Sequence, residues 1–152
     1  MIMMVVKTIT DLERIGDEAT KIARVTQKVS ESGRLYTPRF NEIKNMVANV
    51  REMLRTSLDA FARLDVTKTV DVARQDEQVD ELFRATMRQL ITFMLEDPRT
   101  ISMSLEVLFV AKAIERIGDH AKNIAEYVIY MVKGKDVRHT TVQEMEREAQ
   151  EP

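Results

Sequence analysis

Apolar residues recur at steps of three and four through most of the 152-residue chain, and this spacing is typical of α-helices that bury one face. The pattern divides the chain into four long segments, each predicted to be a helix: residues 1–31, 39–64, 66–96 and 99–133. The breaks between them are short, so neighbouring helices are expected to run antiparallel. The predicted fold class is all-α, an up-down helical bundle.

Residues that favour turns or helix ends stand at each break. Gly33 and Pro38 follow the first segment, Asp97-Pro98 precedes the fourth, and Gly134 comes where the fourth should end. Asp65 is the predicted N-cap of the third helix. The tail, residues 135–152, is polar and is predicted to fray, with at most a weak helix around residues 142–149.

The first helix carries two neighbouring apolar stripes instead of one. The first stripe comprises Val5, Leu12, Ile15, Ala19, Ile22 and Val29, and the second comprises Val6, Ile9, Gly16 and Ala23. Two stripes predict that this helix has neighbours on more than one side.

A short acidic motif occurs twice. Residues 12–17 read Leu-Glu-Arg-Ile-Gly-Asp, and residues 114–119 read Ile-Glu-Arg-Ile-Gly-Asp, 102 positions further along (115 − 13). Eight of the eleven positions from Glu13 to Ala23 are identical to their counterparts, which indicates an internal repeat of roughly 100 residues. Each copy places a Glu and an Asp four residues apart, so both carboxylates lie on one face of a helix, one turn apart.

A second kind of acidic pair lies one helix before the later motif. Asp76 and Asp80 fall at consecutive core-facing positions, although an unpaired buried carboxylate is costly. Asp80 precedes Asp97 by 17 residues (97 − 80) and Glu115 follows it by 18 (115 − 97). The pairs Asp76/Asp80 and Glu115/Asp119 should therefore lie at the same height. Four converging carboxylates would form an oxygen-rich site for a cation such as Fe, Mn, Mg, Ca or Zn.

A simpler interpretation is a solvated network in which Lys112, Arg116 and Arg84 neutralise the acids. His120 and His139 are interpreted as surface histidines, although His120 adjoins the acidic motif and could reach an ion. The methionines, 10 in all, are interpreted as core filling, among them Met46, Met53, Met87 and Met94.

Composition excludes several classes of protein. The absence of Cys rules out disulfides and thiolate metal sites, and a net charge of −2 without a Lys/Arg run argues against nucleic acid as the main partner. Neither a secretory signal nor a membrane span is expected, and a cytoplasmic location is predicted. The chain has no Gly-rich phosphate loop, no G-x-S-x-G and no H-E-x-x-H. We therefore predict that it is not an enzyme.

The repeated Glu-Arg-Ile-Gly-Asp, the earlier Asp-x-x-x-Asp and the helix end at residues 130–134 together resemble the PhoU family. The resemblance extends over about residues 5–139. It implies two similar three-helix bundles, each with acidic motifs on its second and third helices, where some members hold multinuclear iron or zinc clusters. The metal ligands that it implies here are Asp76, Asp80, Glu115 and Asp119 in one bundle, and Glu13 and Asp17 in the other.

The resemblance also implies a domain organisation. Residues 1–33 would be the last helix of a first, incomplete three-helix bundle, residues 38–134 a complete second bundle, and residues 135–152 a polar tail. The first two helices of the first bundle are expected to be missing ahead of Met1. Glu13 and Asp17 would then lack intrachain partners, and the uncovered apolar faces of the first helix predict self-association as a homodimer.

The function that the resemblance implies is negative regulation of the phosphate starvation response. The protein would couple the phosphate ABC transporter, through its ATPase subunit, to a sensor histidine kinase, peripheral to the membrane without spanning it. Carboxylate-bound Fe or Zn is the implied cofactor, with Mn or Mg as alternatives. Two other classes remain open: a metal-free helical interaction module and, less favoured, a carboxylate-bridged metalloenzyme.

Overall fold

A computed structural model describes residues 1–31, 41–138 and 140–150. Within these residues it contains the helices α1 (Ile2–Glu31), α2 (Asn41–Arg63), α3 (Thr69–Glu96), α4 (Ile101–Lys133) and α5 (Val142–Gln150). The predicted all-α class and the four long helices are thereby confirmed. The predicted break at Gly33 and Pro38, the predicted start of the second helix at residues 39–40, and His139 lie outside the described residues.

Helix α4 is the element to which the other long helices attach. It packs against α1, α2 and α3, and α2 also packs against α3. Helices α2, α3 and α4 thus form the up-down three-helix bundle that the sequence predicts. Among the described helices, α1 contacts α4 alone.

The core of the bundle consists of apolar side chains from all three of its helices: Met46, Val50, Met53, Val72, Val79, Ile114, Ala121 and Ala125. Burying a side chain the size of Met or Val contributes about 1.5–3 kcal/mol. Both methionines are fully buried, as expected of core filling. A Cβ atom on Gly118 would meet Val50 Cγ2 at 3.4 Å, so the small residues of α4 allow α2 to approach closely.

The turn between α3 and α4 follows the predicted chemistry. The Asp97 carboxylate accepts a hydrogen bond from the Arg99 backbone N–H at 3.0 Å, and Pro98–Thr100 form a single 3-10 turn before α4 begins. At the other end, Gly134 adopts φ 70°, in the left-handed region, and its N–H donates to the Tyr130 carbonyl at 2.9 Å. Gly134 therefore terminates α4, as predicted.

The predicted N-cap of α3 is wrong. The helix begins at Thr69, and no side chain caps it. Asp65 instead accepts hydrogen bonds from the Thr67 N–H at 2.9 Å and the Thr67 hydroxyl at 2.6 Å. Because this local turn already uses the Asp65 carboxylate, the helix starts three residues later than an N-cap at that position requires (69 − 66).

The tail is more ordered than predicted. In α5, Met145 is 2% exposed and packs in a second apolar cluster with Val66, Ala73, Ile129 and Val137. The helix also has a reciprocal cap, because the Thr141 N–H donates to Glu144 Oε2 at 2.9 Å and the Glu144 N–H donates to Thr141 Oγ1 at 3.2 Å. Val142 and Ala149 pack against the same cluster, and Arg74 of α3 donates to Glu146 at 2.9 Å, so a mostly polar segment is held by several contacts.

The face that α1 turns toward α4 shares Ile15 and Ile22 with the first predicted stripe but otherwise differs from both stripes. Its buried positions, spaced by four and three, are Met4, Thr8, Asp11, Ile15 and Glu18. Much of the predicted apolar surface is exposed instead, including Val5, Val6, Ile9 and Leu12. The prediction was wrong for the other positions because a hydrophobic pattern places Asp and Glu on the solvent side, whereas Asp11 and Glu18 find partners on α4.

No helix in the described part of the chain is both long and apolar enough to cross a membrane.

Candidate functional site

Four carboxylates lie near enough for their charges to interact where α3 and α4 pack side by side, as counting from the Asp97 turn predicted. We call Asp76, Asp80, Glu115 and Asp119 the acidic cluster. Asp76 is buried, Asp80 and Glu115 are half-buried, and Asp119 is exposed at the rim. Each pair is four residues apart on its helix, so the two helices contribute two carboxylates each.

The buried member of the acidic cluster has a raised pKa. Burial is the largest cause, because it removes water from the Asp76 carboxylate, and the negative charges of Asp80 and Glu115 act in the same direction. A hydrogen bond and the positive charge of Lys122 oppose this rise. The pKa of Asp76 nevertheless stays above its ordinary value, so the protein holds this carboxylate against an electrostatic cost.

The pKa of Asp119 is raised to about 6. Loss of hydration is the largest cause, followed by repulsion from Glu115, Asp76 and Asp80. Solvent reaches this exposed side chain and weakens each of these interactions. The pKa of Asp119 is still raised, because all three neighbouring carboxylates act in the same direction. The negative charges of the other three carboxylates therefore oppose ionisation of Asp119.

Cationic side chains already contact three of the four carboxylates. Lys122 Nζ donates to Asp76 Oδ2 at 2.8 Å, and Lys112 Nζ lies 2.6 Å from the Glu115 carboxylate. Arg84 is more distant, at 3.9 Å from Asp80. The structure therefore shows the predicted pairing of Lys112 and Arg84 with the acidic cluster.

Lys122 was not predicted as a partner of the acidic cluster, and the partner predicted for Arg116 was wrong. Arg116 lies 3.3 Å from Glu18 of α1 instead of pairing with the acidic cluster. Lys122 follows Asp119 by three residues (122 − 119), one turn further along the same face of α4. The spacing indicates that Lys122 lies near the acidic cluster. The packing of α3 against α4 is needed to show that its partner is Asp76.

The donor chemistry of the acidic cluster suits a hard or borderline divalent cation, since every member supplies carboxylate oxygens. The arrangement does not suit one: among residues 1–31, 41–138 and 140–150, no group of three or more His, Cys, Asp or Glu side chains is placed to hold a metal ion. Ammonium groups take up carboxylate oxygens where an ion would need them. Metal binding by Asp76, Asp80, Glu115 and Asp119 therefore stays a prediction.

The other predicted metal ligands, Glu13 and Asp17, are exposed on α1. Neither forms a hydrogen bond or ion pair with another side chain in the described ranges. The two copies of the motif are thus alike in sequence but not in surroundings, because within the described residues only the later copy faces a second acidic pair.

The contact between α1 and α4 contains a second polar group of residues. The buried Asp11 carboxylate lies 2.7 Å from His120 Nδ1 and accepts a hydrogen bond from Asn123 Nδ2 at 3.2 Å. Burial, together with a hydrogen bond to Asp11, raises the pKa of Tyr127. His120 is half-buried, so its interpretation as a surface histidine is wrong; it holds α1 on α4.

Seven residues along α1, a second buried acid repeats this arrangement. Glu18 is 4% exposed and accepts a hydrogen bond from Lys21 at 2.8 Å, while Arg116 of α4 lies 3.3 Å away. Breaking a buried pair by removing one partner typically costs several kcal/mol. The positions of Asp11 and Glu18 therefore fix the register of α1 along α4.

One further buried acid lies on α4 beyond the acidic cluster. Glu126 is 8% exposed, and burial raises its pKa to about 7 even though Lys122 lowers it. It borders a cavity of about 130 Å³ that Lys7, Tyr127 and Arg138 also line. Lys122 thus lies between carboxylates on both sides along α4.

Taken together, the fold and the site define a class: a helical-bundle protein in which two antiparallel helices carry matched acidic pairs at one height. The family model described as the PhoU domain matches residues 43–128, which is more than half of the chain. The chain belongs to the PhoU family.

Named relatives and a solved structure show the same similarity. The chain is 46% identical over 151 residues to the phosphate-specific transport system accessory protein PhoU homolog of Pseudomonas putida, covering 99% of this chain and 58% of that protein. It is 42% identical over 148 residues to the PhoU protein of Escherichia coli, covering 97% of this chain and 60% of that one. The crystal structure of PhoU from Pseudomonas aeruginosa superposes with a TM-score of 0.83 at 44% identity, covering 88% of this chain and 64% of that chain. The chain thus spans about 60% of the length of these relatives.

We predict that Asp11→Ala loosens α1 from α4. The change leaves His120 and Asn123 without their acceptor, at a cost of about 1–3 kcal/mol. Backbone amides of α1 should then exchange with solvent roughly 5–150 times faster in native-state hydrogen exchange, while those of the α2–α4 core change little. Asp17→Ala, an exposed Asp on the same helix, is the matched control. Equal exchange rates in both variants would show that the buried carboxylate does not hold α1.

Proposed function

We propose that this chain acts as a non-enzymatic negative regulator of the phosphate starvation response. Membership of the PhoU family carries the proposal, because the relatives are phosphate-specific transport system accessory proteins by name. The chain couples the phosphate ABC transporter to a sensor histidine kinase. Its partners are the ATPase subunit of that transporter and the kinase itself, and its place is in the cytoplasm, peripheral to the membrane.

In this proposal the acidic cluster responds to cations. Asp76, Asp80, Glu115 and Asp119 would hold Fe or Zn, or alternatively Mn or Mg, and the ion would neutralise the repulsion that raises the pKa of Asp76 and Asp119. Because the carboxylates come from both α3 and α4, neutralisation strengthens the attachment of one helix to the other. The surface that a partner meets then depends on the charge of the cluster.

A second candidate function is a metal-free helical interaction module. The contacts of Lys122 with Asp76 at 2.8 Å and of Lys112 with Glu115 at 2.6 Å favour it, since the chain's own cations already reduce the repulsion. In this case the acidic cluster maintains the spacing of α3 and α4, and partners bind elsewhere. The two candidates differ in whether added divalent metal changes the protein.

We also propose that the chain self-associates through α1. Ile2, Val6 and Ile9 of this helix are 84%, 55% and 60% exposed, which is unusual for large apolar side chains clustered on one helix. Under the internal repeat, Ile9, Leu12, Gly16, Ala19 and Ala23 of α1 correspond to Ala111, Ile114, Gly118, Ala121 and Ala125 of α4 (offset 102).

Those positions of α4 are the ones buried within the three-helix bundle. The exposed face of α1 therefore corresponds to the face that α4 buries in the bundle. A second copy of the chain presents the same apolar surface, and a two-fold symmetric dimer joins one such patch to its copy.

For self-association, we predict a sedimentation mass near twice 17.6 kDa at micromolar concentration. Ile9→Glu should return the chain to the monomer mass, because a charge on the exposed apolar face opposes its burial. Leu95→Glu, at an exposed leucine on α3, is the matched control and should leave the dimer intact. A single 17.6 kDa species for the unaltered chain would contradict the proposed dimer.

For regulation, we predict that expressing the chain in a bacterium deleted for its own PhoU represses phosphate-starvation genes in phosphate-rich medium. A reporter from one such promoter should fall several-fold. The double variant Asp76→Ala/Asp119→Ala should repress less, because it removes the charges that make the cluster responsive. Asp71→Ala, at an exposed Asp on α3, should repress normally.

The reporter must be read at matched protein levels, determined by immunoblot. Full derepression by a folded, well-expressed chain would contradict the regulatory proposal. Normal repression by the double variant would instead support the metal-free interaction module.

A further inference from the structure

An open groove of about 300 Å³ lies between the second half of α1 and the first half of α4. Apolar side chains make up much of its lining: Ile22, Val25, Phe109, Val110 and Ala113. Phe109 is 62% exposed, although burying an aromatic ring releases a large amount of free energy. The groove therefore presents an apolar surface that the described part of the chain leaves open to solvent.

The apolar surface continues along α4 beyond the groove. Ile101, Leu105 and Phe109 are spaced by four residues, so they share one side of the helix. Ile101 and Leu105 are each 41% exposed. Exposed apolar side chains that lie next to one another in this way mark interaction sites on proteins.

Positive side chains border the groove. Lys21, Lys112 and Arg116 line it, and their side chains are 56%, 49% and 45% exposed. Among the described lining residues the one acid is Glu18, which is buried and contacts both Lys21 and Arg116. Even when Glu115, the partner of Lys112, is included, the cations outnumber the acids. The groove is therefore positive, although the chain carries a net charge of −2.

We propose that this groove binds an amphipathic helix of a partner protein, with the apolar side of that helix on Phe109 and its acidic residues beside the positive border. A groove of this kind is a common receptor for the apolar face of a helix, and complementary charge favours an acidic partner over a basic one. The inference rests on the proposed function, since a regulator without enzymatic activity acts by binding. The proposed dimer surface around Ile2, Val6 and Ile9 is at the other end of α1, so the two surfaces do not overlap.

The first test measures the binding of a synthetic peptide to the full chain by fluorescence anisotropy. The peptide is a capped helix of about 18 residues, because shorter helices are marginal in water, and it has one stripe of leucines with glutamates on its other faces. A second peptide has the same leucines and has lysines in place of the glutamates. We expect the acidic peptide to bind at least tenfold more tightly than the basic one. Equal affinities overturn the proposal.

A pair of variants locates the binding. Phe109→Glu places a negative charge in the groove and should weaken binding of the acidic peptide at least tenfold. Leu95→Glu, at a leucine on α3 that is 80% exposed, makes the same kind of change outside the groove and should bind the peptide normally. Equal affinity of Phe109→Glu and the unaltered chain overturns the groove as the site. A sedimentation mass that falls only in Phe109→Glu assigns the groove to a second copy of the chain and overturns the partner helix.

A measurement on the unaltered chain keeps the test valid if Phe109→Glu fails to fold. In amide NMR spectra, saturating acidic peptide should shift the signals of Val25, Val110 and Ala113. The signals of Asn45 and Gln78, which line a different groove between α2 and α3, should stay in place. Largest shifts on α2 and α3 would contradict the assignment of the groove.

These outcomes are distinct from those that test phosphate regulation, because the peptide measurements contain no phosphate readout. Absent peptide binding together with normal repression in the reporter assay overturns this inference alone. Derepression by an unaltered chain that still binds the acidic peptide in the groove overturns the regulatory proposal and leaves the groove as a binding site.

Discussion

The structure depends on one constraint, which is that α4 must serve two packing surfaces at once. Toward α2 and α3 it presents small residues, so that a Cβ on Gly118 would already touch Val50 and the Ser57 hydroxyl donates to the Ala121 carbonyl at 2.7 Å. Toward α1 it presents Arg116 and His120, which meet buried acids. Close apolar packing on one face and ion pairing on another give a single helix that organises the described chain.

The acidic cluster is a consequence of that arrangement. Because α3 and α4 are joined by a tight turn at Asp97, residues equally far from it are brought to one height, and Asp80 and Glu115 are 17 and 18 residues away. The positive charges of Lys122, Lys112 and Arg84 offset part of the resulting repulsion and bring the cluster closer to neutrality.

Much of this was predictable from local pattern, and the rest required knowledge of which helix lies beside which. The long helices, Gly134 as the end of α4 and the common height of the acidic pairs follow from periodicity and counting. The buried face of α1 did not, because Asp11 and Glu18 are buried only in the presence of His120 and Arg116, about 100 positions away. Lys122 was missed for the same reason. The order of α5 was underestimated because it depends on a small apolar contact centred on Met145.

The central claim is that Asp76, Asp80, Glu115 and Asp119 act as one electrostatic unit, and carboxyl-carbon NMR titration of the metal-free chain tests it most directly. The account predicts that Asp119 titrates near pH 6 and that Asp76→Asn lowers this midpoint, because the variant removes a repelling negative charge and releases Lys122. A midpoint for Asp119 near its ordinary value of about 4, unchanged by Asp76→Asn, would contradict the account.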